Sequence, residues 1–194
     1  MTPGPAPFTV FLDRDGVFNE NPETALWRWP GCLPGVAEAF ARLNRPGIQT
    51  SLATNQPYVG LGLLPPPTLG RLHARMIREL ELVGGRLDHV EYAGVPIPFP
   101  SRRRKPGPGM LEAGARFFAK RGTPVDKRRA VMVGDKSKDA AAGAAFGIPA
   151  ILLATTHSKE ELEARCRKRG VAPLAIVPTL DGAVDLVLKR FANA

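Results

Sequence analysis

The sequence predicts an α/β fold: a three-layer, doubly wound parallel sheet with helices on both faces. Three observations carry that expectation. Short apolar runs of strand length alternate with longer amphipathic stretches along the chain, the order expected of βαβ units with right-handed crossovers. Chemically active polar residues fall just after several of the apolar runs, where open α/β sheets gather their ligands. The chain has 194 residues, 44% hydrophobic and 23% charged, the size and make-up of one globular domain, so residues 1–194 are read as a single domain.

The elements follow in order. Residues 1–7, MTPGPAP, read as a loose Pro-rich lead-in. FTVFL, 8–12, is a short apolar run and reads as a buried strand. Residues 35–44 read as a helix stopped by Pro46 and Gly47, and 48–53 as a second strand. QPYVGLGLLPPP is rich in breakers and reads as loop. Over 68–83, Leu69, Leu72, Met76, Leu80 and Val83 share one helical face, so this stretch is a helix with a core stripe. Residues 88–93 read as the third strand. The prolines at 96, 98, 100, 106 and 108 make 94–109 a loop. A helix over 110–121, a strand over 129–134, a small-residue helix over 138–146 and a strand over 148–154 follow. Ser158 and Glu161 are spaced as a capping box for a charged helix over 158–169. A last strand over 174–177 and an amphipathic helix with Leu180, Val184, Val187, Leu188 and Phe191 on one face complete the pattern.

Composition narrows the class further. No apolar run reaches the ~18 residues of a membrane span, and the start lacks the basic-then-apolar pattern of a signal peptide. Cys32 and Cys166 cannot by themselves build a disulfide framework or a four-thiolate zinc site, so a reduced cytoplasm is the expected home. Lys+Arg 27 against Asp+Glu 18 gives a net charge of +9. That excess predicts attraction to anions without choosing among phosphorylated metabolites, nucleic acid or an acidic surface. Arg165, Arg167, Lys168 and Arg169 lie far along the chain from the motifs below and read as surface composition.

The polar residues after the strands define a candidate site. Asp13-Arg14-Asp15-Gly16 follows the first strand, Thr54-Asn55-Gln56 the second, and Gly134-Asp135-Lys136 the fourth, with Asp139 one turn on. The proline loop delivers Arg102, Arg103, Arg104 and Lys105. Three carboxylates close together repel unless a cation joins them. An oxygen-rich set with room for water suits Mg²⁺. Lys105 and Thr54 can then hold phosphate oxygens. Asp13 can attack phosphorus, and Asp15 can give a proton to the leaving oxygen and later take one from water. Gly16 lets the chain turn sharply after the pair. Each residue also has a plainer reading: strand-end turn acids for Asp13 and Asp15, a turn hydroxyl for Thr54, helix-start acids for Asp135 and Asp139, and solvated surface for the arginine run. His73, His89 and His157 have no partner at metal spacing and read as structural or surface residues.

FLDRDGVFNE, LATNQ, RRRKPGPGM and VGDKSKD stand in the order and placement of the four motifs of the haloacid dehalogenase (HAD) superfamily of phosphohydrolases, which the chain resembles. Within it, DRDGV-x-N, TNQ, RKPxPGM and VGDKxxD together resemble the branch of D-glycero-D-manno-heptose 1,7-bisphosphate phosphatases and histidinol-phosphate phosphatases. The resemblance implies a HAD-like Rossmannoid fold and Mg²⁺-dependent hydrolysis of a small phosphorylated metabolite through an aspartyl phosphate. It implies Asp13 as nucleophile and metal ligand, and Asp15 as general acid/base with its backbone carbonyl on the metal. Asp135 is implied as the other carboxylate ligand. Thr54 and Lys105 match phosphate-binding positions, Lys136 and Asp139 the supporting residues of the fourth motif, and Asn55 and Arg104 positions that face substrate.

The motif intervals are filled by sheet elements and leave no room for a folded cap, so a capless member with an open site is expected. The branch usually carries a Cys/His zinc loop before its third motif. GVPIPFPSRRR holds neither residue, so no zinc is expected. TNQPYVGLG departs from the branch's TNQSGIARG-like segment, which leaves the substrate open. A heptose bisphosphate comes first and histidinol phosphate second. A nucleic-acid 3′-phosphatase and a non-catalytic binding protein on the same scaffold remain as rivals. No basic stripe with interleaved aromatics favours nucleic acid, no membrane partner is expected, and the oligomeric state is left open.

Overall fold

The computed structural model describes residues 6–20 and 27–193; residues 1–5 of the expected lead-in lie outside them. Six strands form one parallel sheet in the order β3-β2-β1-β4-β5-β6. They are β1 (Phe8–Leu12), β2 (Ile48–Asn55), β3 (His89–Ala93), β4 (Ala130–Gly134), β5 (Ala150–Leu153) and β6 (Ala175–Val177). The helices are α1 (Val36–Ala41), α2 (Pro57–Gly60), α3 (Pro66–Leu82), α4 (Gly109–Lys120), α5 (Ser137–Phe146), α6 (Lys159–Lys168) and α7 (Leu180–Ala192).

Strand alternation divides the core into two layers. Phe8, Val10 and Leu12 of β1, Val131 and Val133 of β4, and Ile151 and Leu153 of β5 face α1, α3 and α7. Phe11, Met132, Ala150 and Leu152 face α4, α5 and α6. β1, β4 and β5 are buried on both faces, which is why they read as continuous apolar runs rather than alternating ones.

Several boundaries differ from the sequence reading, among them the strand expected over 148–154, which is Ala150–Leu153. The expected loop 56–67 contains α2 and the first turn of α3, because Pro57 and Pro66 stand at first helical positions, where a missing N–H costs nothing. β2 runs on through Thr54 and Asn55, which pair with Tyr92 and Ala93. α1 stops at Ala41 and passes into a tight turn, with Leu43 N–H donating to the Phe40 carbonyl at 2.9 Å. The capping box on α6 is as expected, with Ser158 and Glu161 bonding each other's backbone N–H.

The chain reverses its direction of travel across the sheet between β1 and β4. Ligands in doubly wound sheets bind at the carboxyl ends of strands at this switch point. Leu12 is in register with Val133, and the Asp13 N–H donates to the Val133 carbonyl at 2.9 Å, so the chain segments leaving β1 and β4 run side by side.

Gly16 holds them together at close range. Its φ is +83°, and a Cβ there would lie 2.2 Å from Asp135 Oδ2. Gly62 has a similar φ of +73° but open space around it. Gly62→Ala should therefore cost only the left-handed conformation, about 1 kcal/mol. Gly16→Ala should exceed that by about 1 kcal/mol or more, since Asp135 must also shift. Urea midpoints of the two variants measure the difference; equal losses would show that Asp135 yields freely.

Candidate active site

Lys105 stands at the centre of the site. Its side chain is wholly buried, with Nζ 2.9 Å from Asp13 Oδ2 and 2.6 Å from Asp139 Oδ1. Burial alone would favour the neutral amine, but the two carboxylates outweigh it and hold the ammonium above the ordinary lysine range. The same balance governs Asp13. Burial would raise its carboxyl, yet Lys105, Lys138 and the Arg14 N–H, 2.8 Å from Oδ1, keep it below the usual range.

The proline loop is docked so that Lys105 reaches this place. Asn55 Nδ2 donates to the Lys105 carbonyl at 3.1 Å, and Asn55 Oδ1 accepts the Lys105 N–H at 3.0 Å. The structure thus uses the amide of Asn55 to seat the loop, although its side chain also borders the pocket.

The three clustered carboxylates have different partners. Asp139 is engaged at both oxygens, by Lys105 and by the Lys136 N–H at 2.9 Å. Asp135 Oδ2 receives the Thr156 hydroxyl and lies 3.2 Å from Lys136 Nζ. Asp135 Oδ1 is buried with no hydrogen-bond partner among the described residues. Burial first, then Asp13 and Asp139, push the Asp135 carboxyl up to about 6. Against three buried carboxylates, two ammonium groups are in direct contact, so one negative charge is uncompensated. An unpartnered buried oxygen in such a set is what a bound cation would satisfy. One oxygen from each of Asp13, Asp135 and Asp139 lies within 4.8 Å of the others, close enough to share one ion. Asp13 is engaged at both of its oxygens as well, by Lys105 and the Arg14 N–H.

Asp15, two residues past Asp13, is gripped by four donors. Arg14 Nε and Nη2 each lie 3.0 Å from its oxygens, Asn19 Nδ2 lies 3.0 Å away and Gln56 Nε2 2.9 Å. Gln56 Nε2 also donates to the Thr54 hydroxyl at 2.9 Å, linking the β1 and β2 motifs.

Above these groups opens a cavity of about 460 Å³. Asp13, Asp15, Asn55, Arg104, Lys105 and Lys136 line it, while Thr54, Asp135 and Asp139 lie buried beside it. The other two arginines of the run point elsewhere: Arg102 pairs with Glu112, and Arg103 with Glu91. Arg104 borders the cavity with Nη2 donating to the Phe99 carbonyl at 2.9 Å.

Several site residues escaped the sequence reading. Arg14, Asn19 and Gln56 stand inside the motifs, but nothing in their spacing told that they grip Asp15. Thr156 follows β5 and could have been found by the strand-end rule applied to β1 and β4. Arg28, Lys138 and Arg169 line the cavity. Arg169 is exposed, as expected, but it also borders the cavity: Ser137 accepts its Nε–H at 3.0 Å, which brings the end of α6 to the start of α5. His73 corrects nothing in metal terms, yet it is buried beside Arg14 rather than on the surface.

Comparison with known proteins agrees with this geometry. The HAD-hydrolase-like family model matches residues 102–183. The D-glycero-beta-D-manno-heptose-1,7-bisphosphate 7-phosphatase of Rhodopseudomonas palustris is 36% identical over 151 residues, 72% of this chain and 79% of that one. The crystal structure of D,D-heptose 1,7-bisphosphate phosphatase from B. bronchiseptica, complexed with magnesium and phosphate, superposes with a TM-score of 0.79 at 29% identity, covering 93% of this chain and 98% of that one. The corresponding enzyme structure from Burkholderia thailandensis gives 0.63 at 29% identity, covering 93% and 97%. With the strand order, the carboxylate cluster and these likenesses in agreement, the chain belongs to the HAD-like phosphatase family.

Proposed function

We propose that this protein is a Mg²⁺-dependent phosphomonoester hydrolase that works through an aspartyl phosphate on Asp13, with D-glycero-D-manno-heptose 1,7-bisphosphate as its substrate. The observation that carries the reading is the buried carboxylate cluster with one uncompensated charge, set beside a cation-lined cavity at the switch point. The relatives' names support the substrate. So do Arg28, Arg104, Lys138 and Arg169, cations around the cavity in addition to Lys105, which suit a molecule with a second phosphate.

Asp13, Asp135 and the backbone carbonyl of Asp15 would hold Mg²⁺, which when bound offsets negative charge at the phosphoryl oxygens. Lys105 and Thr54 bind further phosphate oxygens, and Asp139 and Asn55 keep Lys105 in place. Asp13 attacks phosphorus as the ester P–O bond breaks. The leaving oxygen takes a proton from Asp15 and departs as an alcohol. Asp15, now a carboxylate, takes a proton from water; the resulting hydroxide attacks phosphorus, the bond to Asp13 breaks and phosphate leaves. Residues 1–194 act in this reading as one domain without a cap, and Arg104 and Lys136 face the substrate. A bilayer confines so charged a substrate, which supports a cytoplasmic site of action. Among the described residues no helix is long and apolar enough to cross a membrane.

Asp13→Asn should fold normally and lose at least about 10³-fold in kcat, as removal of a nucleophile does. Near wild-type phosphate release from that variant would sink the mechanism. In a panel of heptose 1,7-bisphosphate, histidinol phosphate and a 3′-phosphorylated oligonucleotide, the heptose should have the highest kcat/KM. Its turnover should respond weakly to salt. A steep fall with salt on the oligonucleotide, at a higher kcat/KM, would favour a nucleic-acid substrate instead.

The raised Asp135 carboxyl gives a signed pH effect. A folded-state value near 6, above the unfolded one, means that metal-free protein loses stability as pH rises towards 6 and does not regain it above. A bound cation removes that penalty, and protons compete with it for the same oxygens. Mg²⁺ should therefore raise the melting midpoint clearly at about pH 7.5 and little at about pH 5. An equal shift at both would place the ion elsewhere.

A further inference from the structure

Arg14 and His73 are buried beside the site, at 5% and 7% exposure, and the reaction above gives neither a part. The Arg14 guanidinium divides its donors. Nε and Nη2 make a two-pronged contact with Asp15, each at 3.0 Å, and Nη1 lies 3.3 Å from His73 Nε2. A guanidinium only donates, so His73 Nε2 is the acceptor and the ring carries its proton on Nδ1. Burial, and then the Arg14 charge, push the imidazole down to about 3, which keeps the ring neutral and able to accept. His73 belongs to α3, whose Met76 and Leu80 are fully buried in the core, so its ring is a fixed point. Arg14 is thereby held at both ends of its planar fork, with Asp15 on one side and a rigid helix on the other.

We propose that His73 is a positioning residue for proton transfer: by fixing the Arg14 fork it holds the Asp15 carboxylate where the leaving oxygen, and then the attacking water, must meet it. This rests on the hydrolase reading above. Asn19 and Gln56 also hold Asp15, so removing His73 loosens the group without releasing it.

The two half-reactions separate this role from a merely structural one. An alkyl leaving group needs the Asp15 proton, whereas 4-nitrophenolate leaves without one; hydrolysis of the aspartyl phosphate needs Asp15 with either substrate. His73→Leu should lower kcat on heptose 1,7-bisphosphate by about 10- to 100-fold, the scale of a small misplacement of a catalytic group, with KM within about twofold. On 4-nitrophenyl phosphate the same variant should release a rapid burst of about one nitrophenolate per active site before a slow steady state, because the first step is spared and the second is not. His73→Gln keeps an acceptor for Arg14 and should restore kcat to within about threefold of wild type. If His73→Leu does not fold by circular dichroism, Arg14→Lys serves instead. A lysine cannot make the fork, and the same asymmetry between substrates is expected. Unchanged kcat on the heptose, or equal losses on both substrates with no burst, would overturn the positioning role while leaving the hydrolase intact. No turnover of either substrate by the wild-type protein would overturn the hydrolase reading and this inference with it.

Discussion

The buried ammonium of Lys105 is the interaction on which the rest of the site depends. A lysine with no exposed side chain is costly unless its charge is matched, and here two carboxylates match it from different parts of the chain. Asp13 comes from the end of β1 and Asp139 from the first turn of α5, while Lys105 itself comes from the proline loop that leads into α4. One charged group therefore joins three segments across the switch point. Removing it would leave Asp13 and Asp139 without the ammonium they share, buried beside Asp135. The Asn55 amide, engaged with both backbone polar groups of Lys105, serves the same constraint from β2.

The cluster also shows how one residue type takes several jobs. Asp13 is drawn down by cations, Asp135 is pushed up by burial and its neighbours, and Asp139 is occupied at both oxygens. Asp15 is the least buried of the four and is gripped only by neutral amides and one guanidinium. Environment, not chemistry, distinguishes these four carboxylates, and it is what would let them take the different roles proposed above. The environments add that Asp139 and Asp13 share the Lys105 ammonium, so the three groups form one ion-paired unit.

Much of this was legible in the sequence, for a physical reason. Parallel strands buried on both faces are unbroken apolar runs, so the polar residue that ends each run marks the sheet edge. Asp13, Thr54 and Asp135 were found that way. Helix starts at Pro57 and Pro66 were not, because proline signals a breaker unless one knows it occupies a first helical position. Arg14, Gln56 and His73 were missed for another reason. Their roles lie in side-chain contacts across β1, β2 and α3, and no local period or spacing encodes which of two adjacent charged residues turns to grip the other. Arg169 is a surface residue as expected, yet it borders the cavity; the error there is to take distance along the chain for distance in space.

That last error changes the meaning of the net charge. Several cations of the +9 chain are neutralised on the surface: Arg42 by Asp181 and Asp185, Arg102 by Glu112, Arg103 by Glu91, and Arg128 by Asp126. Those gathered at the cavity come from four places: Arg28 from the segment before α1, Arg104 from the proline loop, Lys136 and Lys138 from the start of α5, and Arg169 from the end of α6. Convergence from separate segments is not what random surface composition produces. A concave wall of one sign focuses potential and raises the local concentration of an oppositely charged ligand. The buried carboxylates would repel a phosphate on their own. Arg28, Arg104, Lys136, Lys138 and Arg169 line the same cavity and oppose that field, so an approaching anion meets positive charge as well as the carboxylates.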